Sequence, residues 1–128
     1  MSRVIHFEIH ASHPQPLIDY YSALFGWKFK QWGEVPYWVV ETGAADQPGI
    51  DGGLVLRRGA PPGDSLPVSS FVCTVQVADL DDSLARSATL GGTLALPRMP
   101  IPGVGWLAYV KDPDGNLLGM MQPDTKAA

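Results

Sequence analysis

Two imidazoles and a carboxylate alternate with apolar side chains in Val4-Ile5-His6-Phe7-Glu8-Ile9-His10. On a β-strand, whose side chains point to opposite faces in turn, His6, Glu8 and His10 share one face while Ile5, Phe7 and Ile9 share the other. A carboxylate on an inward face is costly unless it is solvated, paired or used. Beside an imidazole it can hold a ligand by hydrogen bonds, or move a proton with Glu8 as base and His6 as acid. A plain structural ion pair would use the same residues. His6-Glu8 or Glu8-His10 could also chelate an ion with a third donor such as Glu41. All three strand residues cannot converge on one ion. His6 and His10 start ~13 Å apart at ~3.3 Å per residue, and ligand distances near ~2.1 Å would strain the strand.

Aromatic residues widen the set of candidates. Trp32, Tyr37, Trp38, Trp106 and Tyr109 are many for 128 residues, and an aromatic wall with a few polar groups suits a flat or hydrophobic small molecule. Alternation puts Trp38 and Val40 on one face of their strand and Tyr37 and Val39 on the other, so only one pair can face a ligand. The formal charge of −4 and the lack of a Lys/Arg cluster argue against nucleic acid or an anionic membrane as partner. Cys73 is the one cysteine and lies in an apolar run, so a buried, inert thiol is expected. No charged-then-apolar leader opens the chain, and no apolar run approaches the ~20 residues needed to span a bilayer. A reducing cytoplasm is the expected compartment.

The elements that would position these groups follow in order. Ser12 and Gln15 fit a capping box, with Pro14 and Pro16 in the first turn of a helix. Leu17, Tyr20, Tyr21 and Leu24 give that helix its apolar face, and Gly26 offers a left-handed stop. Strands are expected near 27–32, 36–42 and 50–57, then a Gly/Pro-rich linker over 58–68. Phe71 to Val77 alternates again, with Thr74 and Gln76 on its polar side. Asp79 is placed to cap a second helix with Leu80, Leu84 and Ala88 on its buried stripe, ended by Gly91-Gly92. Strands near 93–97, 105–111 and 116–122 complete the chain. Met99 to Gly105 is expected as a hairpin loop, and Asp112-Pro113-Asp114-Gly115 as a turn with Asp112 as acceptor.

The two halves superpose at a constant shift. Ile5 falls on Phe71, Phe7 on Cys73, Ile9 on Val75, His13 on Asp79, Gly26 on Gly92, Gly49 on Gly115 and Gly53 on Gly119. One strand could match by chance, but a helix start, a helix stop and two later glycines at the same shift indicate a duplicated β-α-β-β-β unit. The modules are 3–57 and 69–123 of a single 1–128 domain, and the fold class is α+β.

This order, with His6-Phe7-Glu8-Ile9, Tyr20-Tyr21-Ser22-Ala23-Leu24-Phe25-Gly26-Trp27, Gly52-Gly53 and Asp112-Pro113-Asp114-Gly115-Asn116, resembles the vicinal oxygen chelate superfamily. That group includes glyoxalase I, bleomycin resistance proteins and extradiol dioxygenases. The resemblance runs from about residue 3 to 122 and is nearest to small bacterial members of unassigned activity. It implies a curved mixed sheet around an open cup, frequent dimers and, in metal-using members, a divalent cation held by a His of a module's first strand and a Glu of its last. The first-strand positions are His6 and Val72 here, and the last-strand positions are Gly53 and Gly119. Three of the four carry no donor.

The chain is thus expected to be a cytoplasmic homodimer that binds a small organic molecule between its modules with no divalent metal or other cofactor. Its expected contacts are His6, Glu8, His10, Trp38, Thr74, Gln76 and Tyr109. The alternatives are a glyoxalase-type lyase, isomerase or oxygenase using His6 and Glu8, and a regulatory domain whose cup is filled by its own side chains.

Overall fold

The alternating N-terminal segment forms strand β1, Val4–Ala11, in a computed structural model that describes residues 2–61 and 69–128. The remaining elements are α1 (Pro14–Phe25), β2 (Lys28–Gln31), β3 (Tyr37–Glu41), β4 (Gly52–Leu56), β5 (Val72–Gln76), α2 (Leu80–Thr89), β6 (Thr93–Ile101), β7 (Gly105–Lys111) and β8 (Leu117–Pro123). The fold is α+β, with the β-α-β-β-β order occurring twice. Contacts divide the chain into two compact units, His6–Phe71 and Met1–Ile5 with Val72–Ala128. Most of the expected 58–68 linker, residues 62–68, lies outside the described residues.

In the first unit the strand order is β2-β3-β4-β1, with β1 parallel to β4 and the other pairs antiparallel. Phe7, Ile9 and Ala11 of β1 join Val40 and Leu54 in a buried cluster covered by Leu17, Ile18 and Tyr21 of α1. Each fully buried aliphatic side chain such as Val40 or Leu54 contributes roughly 1.5–3 kcal/mol over its exposed state. The helix meets the sheet through a narrower stripe than expected. Tyr20 and Leu24 are more than half exposed, because a contact centred on positions 17, 18 and 21 turns 20 and 24 to the flank. The expected Ser12 cap is also absent. His13 is the N-cap and makes no side-chain cap bond, and Pro at the first positions leaves fewer N–H groups for a cap to satisfy. Gly26 does close the helix, at φ 73°.

In the second unit the order is β5-β8-β7-β6, with β5 parallel to β8 and antiparallel pairs beyond it. Val77, Leu80, Ala108, Val110 and Met120 form its core, with Val75, Leu84, Trp106 and Leu118 packed on it. Asp79 caps α2 by accepting from Asp82 N–H at 3.0 Å, and Ala88 at the far end of the stripe is exposed. Asp112 Oδ1 accepts from the backbone N–H groups of Asp114 and Asn116, both at 2.9 Å, fixing the expected turn. β6 runs on to Ile101, through Pro97 and Pro100, with register shifts between Leu94 and Met99. A strand at the end of the order tolerates prolines there because one side of its backbone has no ladder to satisfy. Cys73, expected to be buried, is exposed.

Candidate functional site

The polar face of the first unit is built by register. Glu8 stands opposite Gly53 and His10 opposite Val55, while Gly53 faces Val39 and Val55 faces Tyr37 on the other side of β4. His6, Glu8 and His10 therefore share a sheet face with Tyr37 and Val39, the face turned away from α1. His6 Nε2 lies 3.8 Å from Glu8 Oε2, with the His6 side chain 30% exposed and that of Glu8 11%. Tyr37 Oη sits 3.4 Å from His6 Nε2, a long hydrogen-bond contact whose direction depends on the imidazole tautomer. The tyrosine reaches across Gly53. A Cβ at that glycine would fall on the Tyr37 hydroxyl and ring. Trp32 packs edge-on to Tyr37, centroids 5.8 Å apart, and both Trp32 and Val39 are 46% exposed. A nearly buried carboxylate is thus bordered by accessible apolar surface.

Electrostatics sort these groups further. Burial, with the Glu8 charge adding to it, pushes the Tyr37 phenol up, so it stays a neutral donor through the physiological range. Burial lowers the His10 pKa. Glu8 opposes that shift and Arg57 and Arg58 add to it. Arg57 Nη2 donates to the His10 carbonyl at 2.9 Å, and its Nε to Ser12 Oγ at 3.1 Å, pinning the strand end. His10 Nε2 is buried and has no hydrogen-bond partner among the described residues.

The second unit carries a related face. Thr74, 4% exposed, stands opposite Gly119, which faces Tyr109. A Cβ at Gly119 would sit 2.8 Å from Tyr109 Cε1 and 2.9 Å from Thr74 Oγ1. A tyrosine laid over a last-strand glycine therefore occurs once in each unit. Gln76 is exposed, and its backbone N–H donates to the Arg3 carbonyl at 3.0 Å.

Of the residues singled out by sequence, His6, Glu8 and His10 come together on one face, and Thr74 and Tyr109 on another. Trp38 joins neither. It faces the Phe7-Ile9 cluster under α1, opposite Leu54, because the face shared with Val40 is the core face. Tyr37 takes the place expected of it. The signal was in the chain: Tyr37 and Val39 were the alternative pair in the same alternation, and Gly53 left the space for a large neighbour.

A family model matches residues 3–120 of this chain. The chain belongs to the glyoxalase/bleomycin resistance protein/dioxygenase superfamily. No curated protein matches it. Solved structures with the same fold include a superfamily member from Vibrio splendidus 12B01, with TM-score 0.63, 19% identity, and coverage of 97% of this chain and 100% of that one. A methylmalonyl-CoA epimerase from Mycobacterium tuberculosis gives TM-score 0.58 and 14% identity over 94% and 87%. The Mn(II)-bound glyoxalase from Novosphingobium aromaticivorans gives TM-score 0.59 and 15% identity over 100% of this chain and 42% of that one. At such identities the likeness is one of fold.

The Mn(II)-bound glyoxalase raises the question of whether this superfamily chain has donors for such an ion. Gly53 and Gly119 offer no side chain, Val72 only carbon, and the glycine positions have no room even for a Cβ. Nor does Glu41 complete a set with His6 and Glu8, since no group of three or more His, Cys, Asp or Glu among the described residues could hold an ion. Among the described residues, the donors at these positions do not fit a divalent metal.

Proposed function

We propose that this chain binds a small, neutral organic molecule on the His6-Glu8-Tyr37 face of its first module, without a divalent metal. The observation that carries the reading is Glu8. It is a nearly buried carboxylate 3.8 Å from an imidazole, on a face bordered by exposed Val39 and Trp32. A carboxylate can only accept, so the ligand brings a hydroxyl or amine hydrogen. The neutral Tyr37 phenol can donate, so a neighbouring ligand oxygen suits it. The apolar border favours a flat or hydrophobic body. His10 Nε2, buried with no hydrogen-bond partner among the described residues, adds a polar atom at the end of this face. In the second module Thr74 and Tyr109 form the counterpart, with Gln76 beside them.

We further infer a homodimer working in the cytoplasm. Exposed Tyr20, Leu24 and Phe25 on α1 suit a second copy. An exposed cysteine without a partner suits a reducing compartment. Among the described residues no helix is long and apolar enough to cross a membrane, and the net charge of −4 disfavours nucleic acid as a partner.

A second reading rests on the same pair. With His6 and Glu8 3.8 Å apart, Glu8 can take a proton from a bound molecule and His6 can return one, the isomerase-like chemistry of an acid–base pair. One experiment tests both. 2-Hydroxyacetophenone, a neutral aromatic hydroxyketone, is titrated into chelator-treated protein and followed by ligand-observed NMR, with deuterium exchange at its hydroxymethyl carbon read from the same spectra. Binding that survives the chelator and weakens at least tenfold in Glu8→Gln supports the first reading, and exchange lost in that variant supports the second. Binding that needs added metal, or is unchanged in both Glu8→Gln and Tyr37→Phe, refutes the site.

A further inference from the structure

Each module lays a tyrosine over the glycine of its last strand, and the first does so in a particular way. The Tyr37 hydroxyl, not the middle of its ring, occupies the point where a Gly53 side chain would begin, and that hydroxyl lies 3.4 Å from His6 Nε2. A ring covering bare strand backbone would only need to shield the glycine. Here the polar end is aimed at the imidazole. A carboxylate from position 53 would have to occupy the same room to share an ion with His6.

We propose that Tyr37 is the structural stand-in for an acidic side chain at position 53, and that it closes this face to a divalent cation. The exclusion is double. Gly53 contributes no donor, and Tyr37 leaves no space for one to be introduced by a single substitution. His6 and Glu8 remain as two donors, one short of the three protein ligands to which water is added in an open zinc site. The second module repeats the closure with Tyr109 and Thr74 over Gly119, but there β5 supplies Val72 and Thr74, so it lacks an imidazole or carboxylate as well as room. The inference does not depend on which molecule the face binds.

The test is calorimetric titration of Mn²⁺ and Ni²⁺ into the chelator-stripped full chain, with thermal melts to establish folding. Wild type and Tyr37→Ala should hold no stoichiometric ion. Tyr37→Ala/Gly53→Glu should gain one ion per chain, because the new carboxylate can then approach His6 and Glu8. Gly53→Glu alone should bind at least tenfold more weakly than the double variant, since the tyrosine still fills the room. Tyr109→Ala/Gly119→Glu, with space made but no nitrogen or carboxylate on β5, should gain nothing. The proposal is overturned by a stoichiometric ion in wild type, by Gly53→Glu binding as tightly as the double variant, by a folded double variant that binds none, or by an ion gained in the second module. Should the double variant fail to fold, Tyr37→Ala/Gly53→Asp replaces it under the same criteria.

Discussion

Replacing Gly53 with alanine is the smallest perturbation that meets the geometry of the polar face directly. The added Cβ would coincide with the Tyr37 hydroxyl and ring, so the tyrosine must swing away or the strands must part. Forcing one extra carbon into packed surroundings costs about 1–3 kcal/mol. Removing a glycine from a strand interior returns roughly 0.5–1 kcal/mol, leaving a net loss of about 0–2.5 kcal/mol. In a Tyr37→Ala background the obstacle is gone, and the same Gly53→Ala change should be neutral or stabilising by up to ~1 kcal/mol. The coupling between the two sites is then about 1–3 kcal/mol. A double-mutant cycle by urea unfolding, followed by tryptophan fluorescence, resolves this, since m-values near 1–3 kcal/mol/M turn it into midpoint differences on the order of 1 M. If the two substitutions add to within about 0.5 kcal/mol, Tyr37 does not lie over Gly53 and the account of this face fails.

Other expectations follow from single features. Leu54→Ala empties a fully buried position in the first module and should lose about 2–5 kcal/mol in urea unfolding; a loss below 1 kcal/mol would place Leu54 outside the core. Asp79→Ala removes the acceptor for Asp82 N–H and should cost ~1 kcal/mol, with Asp79→Asn close to wild type. His10, whose folded pKa lies below its ordinary 6.5, takes up a proton less readily in the folded chain than in the unfolded one. Its linkage is absent above both values and lowers stability as pH falls below 6.5, levelling off under the folded value. The melting temperature should therefore fall less between pH 7.5 and 5.5 in His10→Gln than in wild type. Equal falls would show that His10 is not held neutral.

Much of the fold was legible because it is written locally. Alternation in Val4 to His10 marked β1, Gly26 marked a helix stop, Asp79 a cap, and Asp112 a turn acceptor. Each depends on residues within a few positions of one another. What the chain concealed depends on partners far away in sequence. Tyr37 meets His6 across 31 positions, and only the pairing of β1, β4 and β3 decides that Tyr37, not Trp38, shares the face of Glu8. The exposure of Cys73 depends on what covers β5, which its apolar neighbours could not say. Pro97 and Pro100 looked like the end of a strand, yet β6 continues through them as the last strand of its order.

The central claim is that a small molecule is held at His6, Glu8 and Tyr37 with no metal between. Amide chemical-shift mapping of ¹⁵N-labelled, chelator-treated protein with 2-hydroxyacetophenone tests it most directly. The account predicts saturable shifts concentrated at residues 6–10, 37–39 and 53–55, unchanged by added Mg²⁺ or Zn²⁺. Shifts confined to α1 or to residues 42–51 between β3 and β4, or shifts that appear only with metal, would contradict it.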